Sequence, residues 1–167
     1  MTTSSLTTKT QFQTLFGYQF HTRNRLIERA AQLPEEDTLA NPGYGHGSIH
    51  ALLFHLLRAE SGWRVAIETG IQPPPEKIET YPTFALLLPA LHQEQQAWLA
   101  LLENLTAEKI ESDLSLTTQR GRTFVIPCWR VLQHLILHGM QHHTEIAQLL
   151  TLKGQSLGDI DFIFYDG

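Results

Sequence analysis

Histidine is the residue type in this sequence that is best suited to chemistry. The 167-residue chain contains nine histidines, and seven of them form two groups: His46, His50 and His55, then His134, His138, His142 and His143. Neutral imidazole nitrogen binds zinc, nickel, copper and iron, and imidazole also titrates near neutral pH. The clustering therefore predicts either a metal site or a hydrogen-bonded core network of histidines.

Helical spacing selects the histidines that face inward. With residues placed at intervals of about 100°, the apolar positions of the last predicted helix define a buried arc that contains His138 and His142. His134 and His143 lie on the two edges of that arc. On an earlier predicted helix, His55 lies at the margin of the apolar arc. We therefore expect His55, His138 and His142 to project into the core.

The other histidines are predicted to take no part in a metal site. His50 points away from His55 on the same helix and is expected to be solvent-exposed. His46 lies in a glycine-rich loop, where periodicity does not define an orientation. His21, His92, His134 and His143 are interpreted as surface or edge residues.

Three imidazoles on two helices, two of them one turn apart, can bind one divalent ion at about 2.0–2.1 Å. Three protein ligands leave a coordination position open, as in catalytic sites. Glu145 lies one turn beyond His142 and is the candidate catalytic residue. Its alternatives are a fourth ligand, a hydrogen-bond partner of a ligand, or an exposed helix charge. The spacing leaves zinc, nickel and iron open as the metal.

Several other classes of site are not supported by the sequence. A carboxylate-bridged di-iron bundle needs Glu-x-x-His pairs, and the chain contains none. The His-Glu-x-x-His motif of metallopeptidases and a glycine-rich phosphate loop are also absent. The one Gly-x-Ser-x-Gly match, Gly154 to Gly158, follows the last predicted helix, whereas the nucleophile elbow of serine hydrolases follows a strand. These absences favour a mononuclear histidine site.

The elements that must position these side chains are predicted to be helices. Apolar periodicity and capping signals give four helices and one hairpin. Three prolines, Pro73 to Pro75, require an extended crossover between the second and third helices. The predicted fold is all-α, a four-helix bundle with a long crossover connection and a short β-hairpin before the last bundle helix. The predicted helices are residues 12–33, 48–68, 83–105 and 127–153, with the hairpin at 114–126.

Composition predicts one domain. Residues 1–10 are Ser/Thr-rich and expected to form a disordered tail, and residues 11–167 form the single bundle domain. The aromatic C-terminal segment from Asp161 to Tyr165 is expected to pack back on the bundle. The net charge of −5 argues against nucleic acid as a partner, and no stretch is long and apolar enough for a membrane helix. Cys128, the single cysteine, is expected to be buried, and the chain is expected in the cytoplasm.

Four segments of the sequence resemble the DinB/YfiT-like superfamily, and together they span essentially the whole chain. The first runs from Tyr18 through Asn24-Arg25-Leu26. The second runs from Ser48 through His55 to Glu60 and Trp63. The third is Val131 to Gly154, with His138-Gly139 and His142-His143, and the fourth is the closing stretch from Gly154 to Tyr165.

This resemblance implies a four-helix bundle and a metal held by one helix-two histidine and a His-x3-His pair, which correspond here to His55, His138 and His142. It also implies a homodimer and a small-molecule substrate, with a low-molecular-weight thiol as one candidate, since relatives include thiol-dependent S-transferases and maleylpyruvate isomerases. The leading hypothesis is a metal-dependent enzyme that activates a thiol or water for S-transferase-type or hydrolytic chemistry. The alternative is a non-catalytic metal-binding or small-ligand-binding bundle.

Overall fold

The structure is a computed structural model that describes residues 7–167. Residues 1–6 of the predicted N-terminal tail lie outside the described residues. The first helix, α1, spans Thr8–Ala30, so the last three residues of that predicted tail are helical. The helix begins there because the hydroxyl of Thr7 accepts a hydrogen bond from the backbone N–H of Thr10.

Four long helices form the bundle, which confirms the predicted fold class. The sequence prediction matched each of them to within a few residues. Two short helices were not predicted, because five residues are too few for apolar periodicity to be recognised. After α1, the helices are α2 Glu35–Leu39, α3 Ile49–Thr69, α4 Phe84–Asn104, α5 Ala107–Glu111 and α6 Cys128–Leu152.

Each long helix packs against two others. Helix α6 contacts α1 and α3, and α4 contacts the same two helices from the other side. The approach of α1 to α6 depends on Gly139, because a Cβ atom at this position would lie 2.5 Å from the side chain of Gln19. Aromatic packing fills one end of the core, where the rings of Phe16 and Trp98 stack with centroids 4.9 Å apart.

The crossover between α3 and α4 is attached to the hairpin. Strands β1 (Asp113–Thr117) and β2 (Thr123–Pro127) pair antiparallel, which confirms the predicted hairpin. The N–H of Thr117 donates to the carbonyl of Gly70 at 2.8 Å, and the N–H of Gln72 donates to the carbonyl of Thr117 at 3.0 Å. The start of the crossover is thus held beside the hairpin.

The C-terminal segment packs on α1, as its aromatic composition predicted. The hydroxyl of Tyr18 donates to the carbonyl of Ile160, and its ring lies 5.1 Å from that of Phe162. Cys128 is buried, also as predicted. Within residues 7–167, no helix has the length and hydropathy needed to span a membrane.

Candidate metal centre

The contact between α3 and α6 brings together the three histidines that the sequence selected. His55 comes from α3, and His138 and His142 are one turn apart on α6. The Nε2 atom of His138 lies 2.9 Å from Nε2 of His55 and 3.2 Å from Nε2 of His142. Three ring nitrogens therefore converge on one region between the two helices.

These separations fit a shared metal ion. Two nitrogens bonded to one ion at about 2.0–2.1 Å lie roughly 2.9–3.4 Å apart when the angle at the ion is between about 90° and 110°. A hydrogen-bonded network explains the arrangement less well. An imidazole nitrogen carries either one proton or one lone pair in the ring plane, so Nε2 of His138 cannot bond both neighbours well. The donor set thus suits a cation.

A carboxylate orients one of these imidazoles. Oε2 of Glu145 lies 3.1 Å from Nδ1 of His142, and the His142 side chain is 1% exposed. Donation from Nδ1–H to this carboxylate leaves the lone pair of His142 on Nε2, which faces His138. The structure thus brings Glu145 to the back of a candidate ligand rather than among the converging nitrogens.

A fourth imidazole joins the cluster. One ligand nitrogen each from His46, His55 and His142 lies within 4.8 Å of the other two, and the ring of His46 stacks on that of His55 at 4.4 Å. His46 was predicted to take no part in a metal site, because periodicity does not define the orientation of a loop residue. The available signal was its position between two glycines just before α3, since both glycines have positive φ, 61° and 96°, and turn the loop back over the helix.

Two partly overlapping sets of histidines are therefore present. His55 and His142 belong to both, and the third member is either His138 or His46. The shortest nitrogen separations involve His138, which is carried on a helix, whereas His46 is exposed and lies in a loop. These differences favour His138 over His46 as the third member of a set that could hold a metal.

Burial keeps His55 and His138 neutral. It is the main cause that lowers the pKa of His55 to about 4, and the neighbouring His142 and His46 lower it further. Burial likewise lowers the pKa of His138 to about 4, followed by the effects of His142 and His55. Both imidazoles are therefore uncharged at pH 7, with a lone pair on one ring nitrogen, and this is the form that binds a metal.

Two histidines lie elsewhere than expected. His50 was predicted to be exposed but is buried, and its Nε2–H donates to the carbonyl of Tyr81 at 2.8 Å. The prediction was wrong because the crossover covers that side of α3. His143 was placed at the edge of the buried arc and is fully buried, because α6 packs against both α1 and α3. His21, His92 and His134 are exposed, in agreement with the prediction.

A second buried polar group lies deeper in the bundle, and we call Gln19, Arg23, Glu60, Gln95 and His143 the core network. Nη1 of Arg23 donates to Oε2 of Glu60 at 2.5 Å, and both side chains are almost completely buried. Nη2 of Arg23 also donates to Oε1 of Gln95 at 3.1 Å. Neither ring nitrogen of His143 has a hydrogen-bond partner among residues 7–167.

A family model and a solved structure both match this chain, and the solved structure has the same kind of four-helix bundle. The sequence matches the DinB family model over residues 1–166. Among solved structures, the chain is similar to YfiT from Bacillus subtilis, which is described as a probable metal-dependent hydrolase with an unusual four-helix bundle topology. The TM-score is 0.70 at 15% sequence identity, with 93% of this chain and 94% of that chain covered. No curated protein sequence matches the chain.

Proposed function

This chain belongs to the DinB family, and we propose that it is a metal-dependent hydrolase whose divalent ion is bound by His55, His138 and His142. The observation that carries the proposal is the convergence of their Nε2 atoms, at 2.9 Å and 3.2 Å from one to the next. The description of YfiT as a probable metal-dependent hydrolase supports the same class of activity.

In this proposal the three histidines bind the ion, and Glu145 orients one of them. A divalent ion, when bound, supplies a Lewis acid that activates water toward an electrophilic substrate. His55 and His138 offer neutral nitrogens because burial depresses their pKa values. Glu145 accepts the Nδ1–H of His142 and so keeps Nε2 of that ring turned toward the centre. Glu145 is therefore proposed as a positioning residue.

His46 is proposed to flank the open coordination position. It is the exposed member of the four imidazoles, so it lies on a side of the cluster that water reaches. Its ring makes an edge contact with His142 at 4.7 Å, in addition to stacking on His55. A loop histidine there can shield the centre or donate a hydrogen bond to a bound group.

Elemental analysis of protein purified without a His tag tests the proposal. We expect one zinc, nickel or iron ion per chain, and hydrolysis of a simple activated ester, 4-nitrophenyl acetate, that is lost on chelation and restored by the same metal. The His138→Ala variant loses one of the three ligands. Its metal affinity should fall by roughly a thousandfold or more, which is on the order of one ligand's share of the binding free energy of a metal site, and it should no longer hold stoichiometric metal. Its helical circular dichroism should stay unchanged.

The matched control is His134→Ala, which removes an exposed imidazole one turn earlier on α6. Its ring lies 5.5 Å from that of His138, but His134 makes none of the short nitrogen contacts that join His55, His138 and His142. We expect full metal content in this variant. Retention of stoichiometric metal by His138→Ala, or ester hydrolysis that is indifferent to chelation, would contradict the proposed function.

Other sequence predictions stay predictions. They are the use of a low-molecular-weight thiol, assembly as a homodimer and residence in the cytoplasm.

A further inference from the structure

A large groove lies between α3, the crossover and the turn of the hairpin. Its volume is about 670 Å³. The floor is the face of α3 that carries Arg58, Ala59, Gly62 and Trp63. The walls come from the proline run Pro73–Pro75 and from the hairpin turn, including Arg120 and Arg122.

This groove follows the same face of α3 as the candidate metal centre. Ala59 and Gly62 come four and seven residues after His55, and residues at these intervals lie along one face of a helix. The groove therefore begins one helical turn from His55.

The second connection to the metal centre is aromatic. Trp63 lines the groove, and its ring lies 6.0 Å from that of His134, which in turn lies 5.5 Å from the ring of His138. A molecule resting on Trp63 is thus separated from a candidate ligand by one side chain.

The groove concentrates positive charge on an acidic protein. Arg58, Arg120 and Arg122 all line it, and none of them takes part in an ion pair with any residue between 7 and 167. The one carboxylate in the lining belongs to Glu76, and it already accepts a hydrogen bond from the hydroxyl of Tyr81 at 2.9 Å. The guanidinium groups are therefore available to an anion, and their planar geometry matches a carboxylate.

Apart from the arginines, Glu76 and four uncharged polar side chains, the surface of the groove is apolar and open. Trp63 is half-buried, and the prolines present ring carbons without backbone donors. A Cβ atom placed at Gly62 would meet no heavy atom within 4 Å, so the floor of the groove has free space above the helix. Such a surface suits the flat hydrocarbon part of a ligand.

We propose that this groove binds the substrate, and that the substrate is an organic carboxylate with a flat apolar body. The acid group pairs with Arg58, Arg120 or Arg122, the apolar body lies on Trp63 and the prolines, and the hydrolysable bond extends along α3 toward His55. This inference rests on the proposed function, since it assigns the substrate class of the same centre.

Binding of 1-naphthoate to metal-free protein, followed by calorimetry, tests the groove without the metal. Its uncharged amide, 1-naphthamide, has nearly the same shape and is the reference ligand. We expect naphthoate to bind at least about fivefold more tightly than naphthamide, and the difference to shrink as salt screens the arginines. Equal affinities, or no binding of naphthoate, would overturn the proposal.

Two sets of variants locate the binding. The triple variant Arg58→Gln, Arg120→Gln, Arg122→Gln should weaken naphthoate binding about tenfold, since each exposed pair contributes modestly. The charge-matched control, Arg29→Gln, Lys109→Gln, Arg130→Gln, changes exposed cations outside the groove and should bind like the original protein. Equal weakening in both triple variants would show that net charge alone is responsible.

A steric pair tests the floor. Gly62→Leu places a branched side chain in the open space and should abolish binding of both ligands while the metal content stays the same. Gly62→Ala adds only the Cβ atom and should leave binding nearly unchanged. Normal naphthoate binding by Gly62→Leu would overturn the assignment to this groove.

Metal content and ester hydrolysis, measured on the same preparations, separate this inference from the proposed function. Protein that holds metal and hydrolyses esters but does not distinguish naphthoate from naphthamide would refute the groove alone. If the purified protein holds no metal and does not hydrolyse the ester, yet binds naphthoate through the arginines, the proposed function is refuted and the groove remains a carboxylate-binding site.

Discussion

His142 and His143 are neighbours in sequence, but His142 belongs to the histidine cluster and His143 to the core network. His142 faces α3, has its Nδ1 bonded to Glu145 and directs Nε2 toward His138. His143 belongs to the core network, is fully buried and has no hydrogen-bond partner among the described residues. In the histidine cluster lone pairs converge, whereas in the core network Arg23 and Glu60 neutralise each other at 2.5 Å.

The histidine cluster is therefore suited to binding a ligand, whereas the core network stabilises the helix bundle. Charges in the core network are satisfied within the protein, so removal of one partner leaves the other buried and unpaired. The imidazoles of His55 and His138 are half-buried and, with pKa values that burial lowers to about 4, uncharged at pH 7, so their loss removes a ligand without leaving a buried charge unpaired. Stability should therefore depend on the first region and metal affinity on the second.

The largest effect on stability is expected for Glu60→Gln. This substitution leaves the guanidinium of Arg23 buried without its counter-charge, and it should lower the free energy of unfolding by about 3–5 kcal/mol. Urea denaturation measures the change. The control Glu68→Gln removes an exposed partner of Arg64 on the same helix and should cost no more than about 0.5 kcal/mol.

Metal content is the second readout for these variants. If Glu60→Gln lost metal while remaining folded, the core network would belong to the metal site, and the separation of the two regions would be wrong.

An intermediate effect is expected for Glu145→Ala. Without the acceptor for its Nδ1–H, His142 is less firmly oriented, and metal affinity should fall about 10–100-fold with little change in stability. Competition against a chromophoric chelator measures the affinity. Glu145→Gln keeps an acceptor oxygen and should recover part of the loss. If Glu145→Ala kept its metal affinity but hydrolysed 4-nitrophenyl acetate more slowly, Glu145 would instead be assigned to proton transfer.

The smallest effect is expected for His143→Leu. Replacing a buried imidazole that makes no hydrogen bond to any residue between 7 and 167 by an apolar side chain of similar size should raise the free energy of unfolding by about 1 kcal/mol. For a chain of this size, the melting temperature should rise by roughly 2–4 °C. Metal content should not change.

His50→Leu is the matched control, because His50 is also buried but donates to the carbonyl of Tyr81. Its replacement leaves that carbonyl without its partner and should lower stability by about 1–3 kcal/mol. Opposite signs for the two substitutions would support the comparison, and equal losses would contradict it.

Most of the fold followed from local sequence signals. Apolar residues recur at helical spacing over four long segments, and prolines and glycines mark their ends, so the bundle helices and the hairpin could be predicted closely. The same periodicity identified His55, His138 and His142 as inward-facing, because a wheel depends only on the residues of one helix. The short helices α2 and α5 lacked enough residues for such a signal.

What the sequence by itself determined is therefore which helices form and which of their faces is apolar. Tertiary structure alone decided what covers each face. The crossover buries His50, α1 and its Arg23 enclose His143, and a glycine loop brings His46 to His55. The physical reason is that periodicity is a property of one segment, whereas burial and convergence depend on which other segments pack against it.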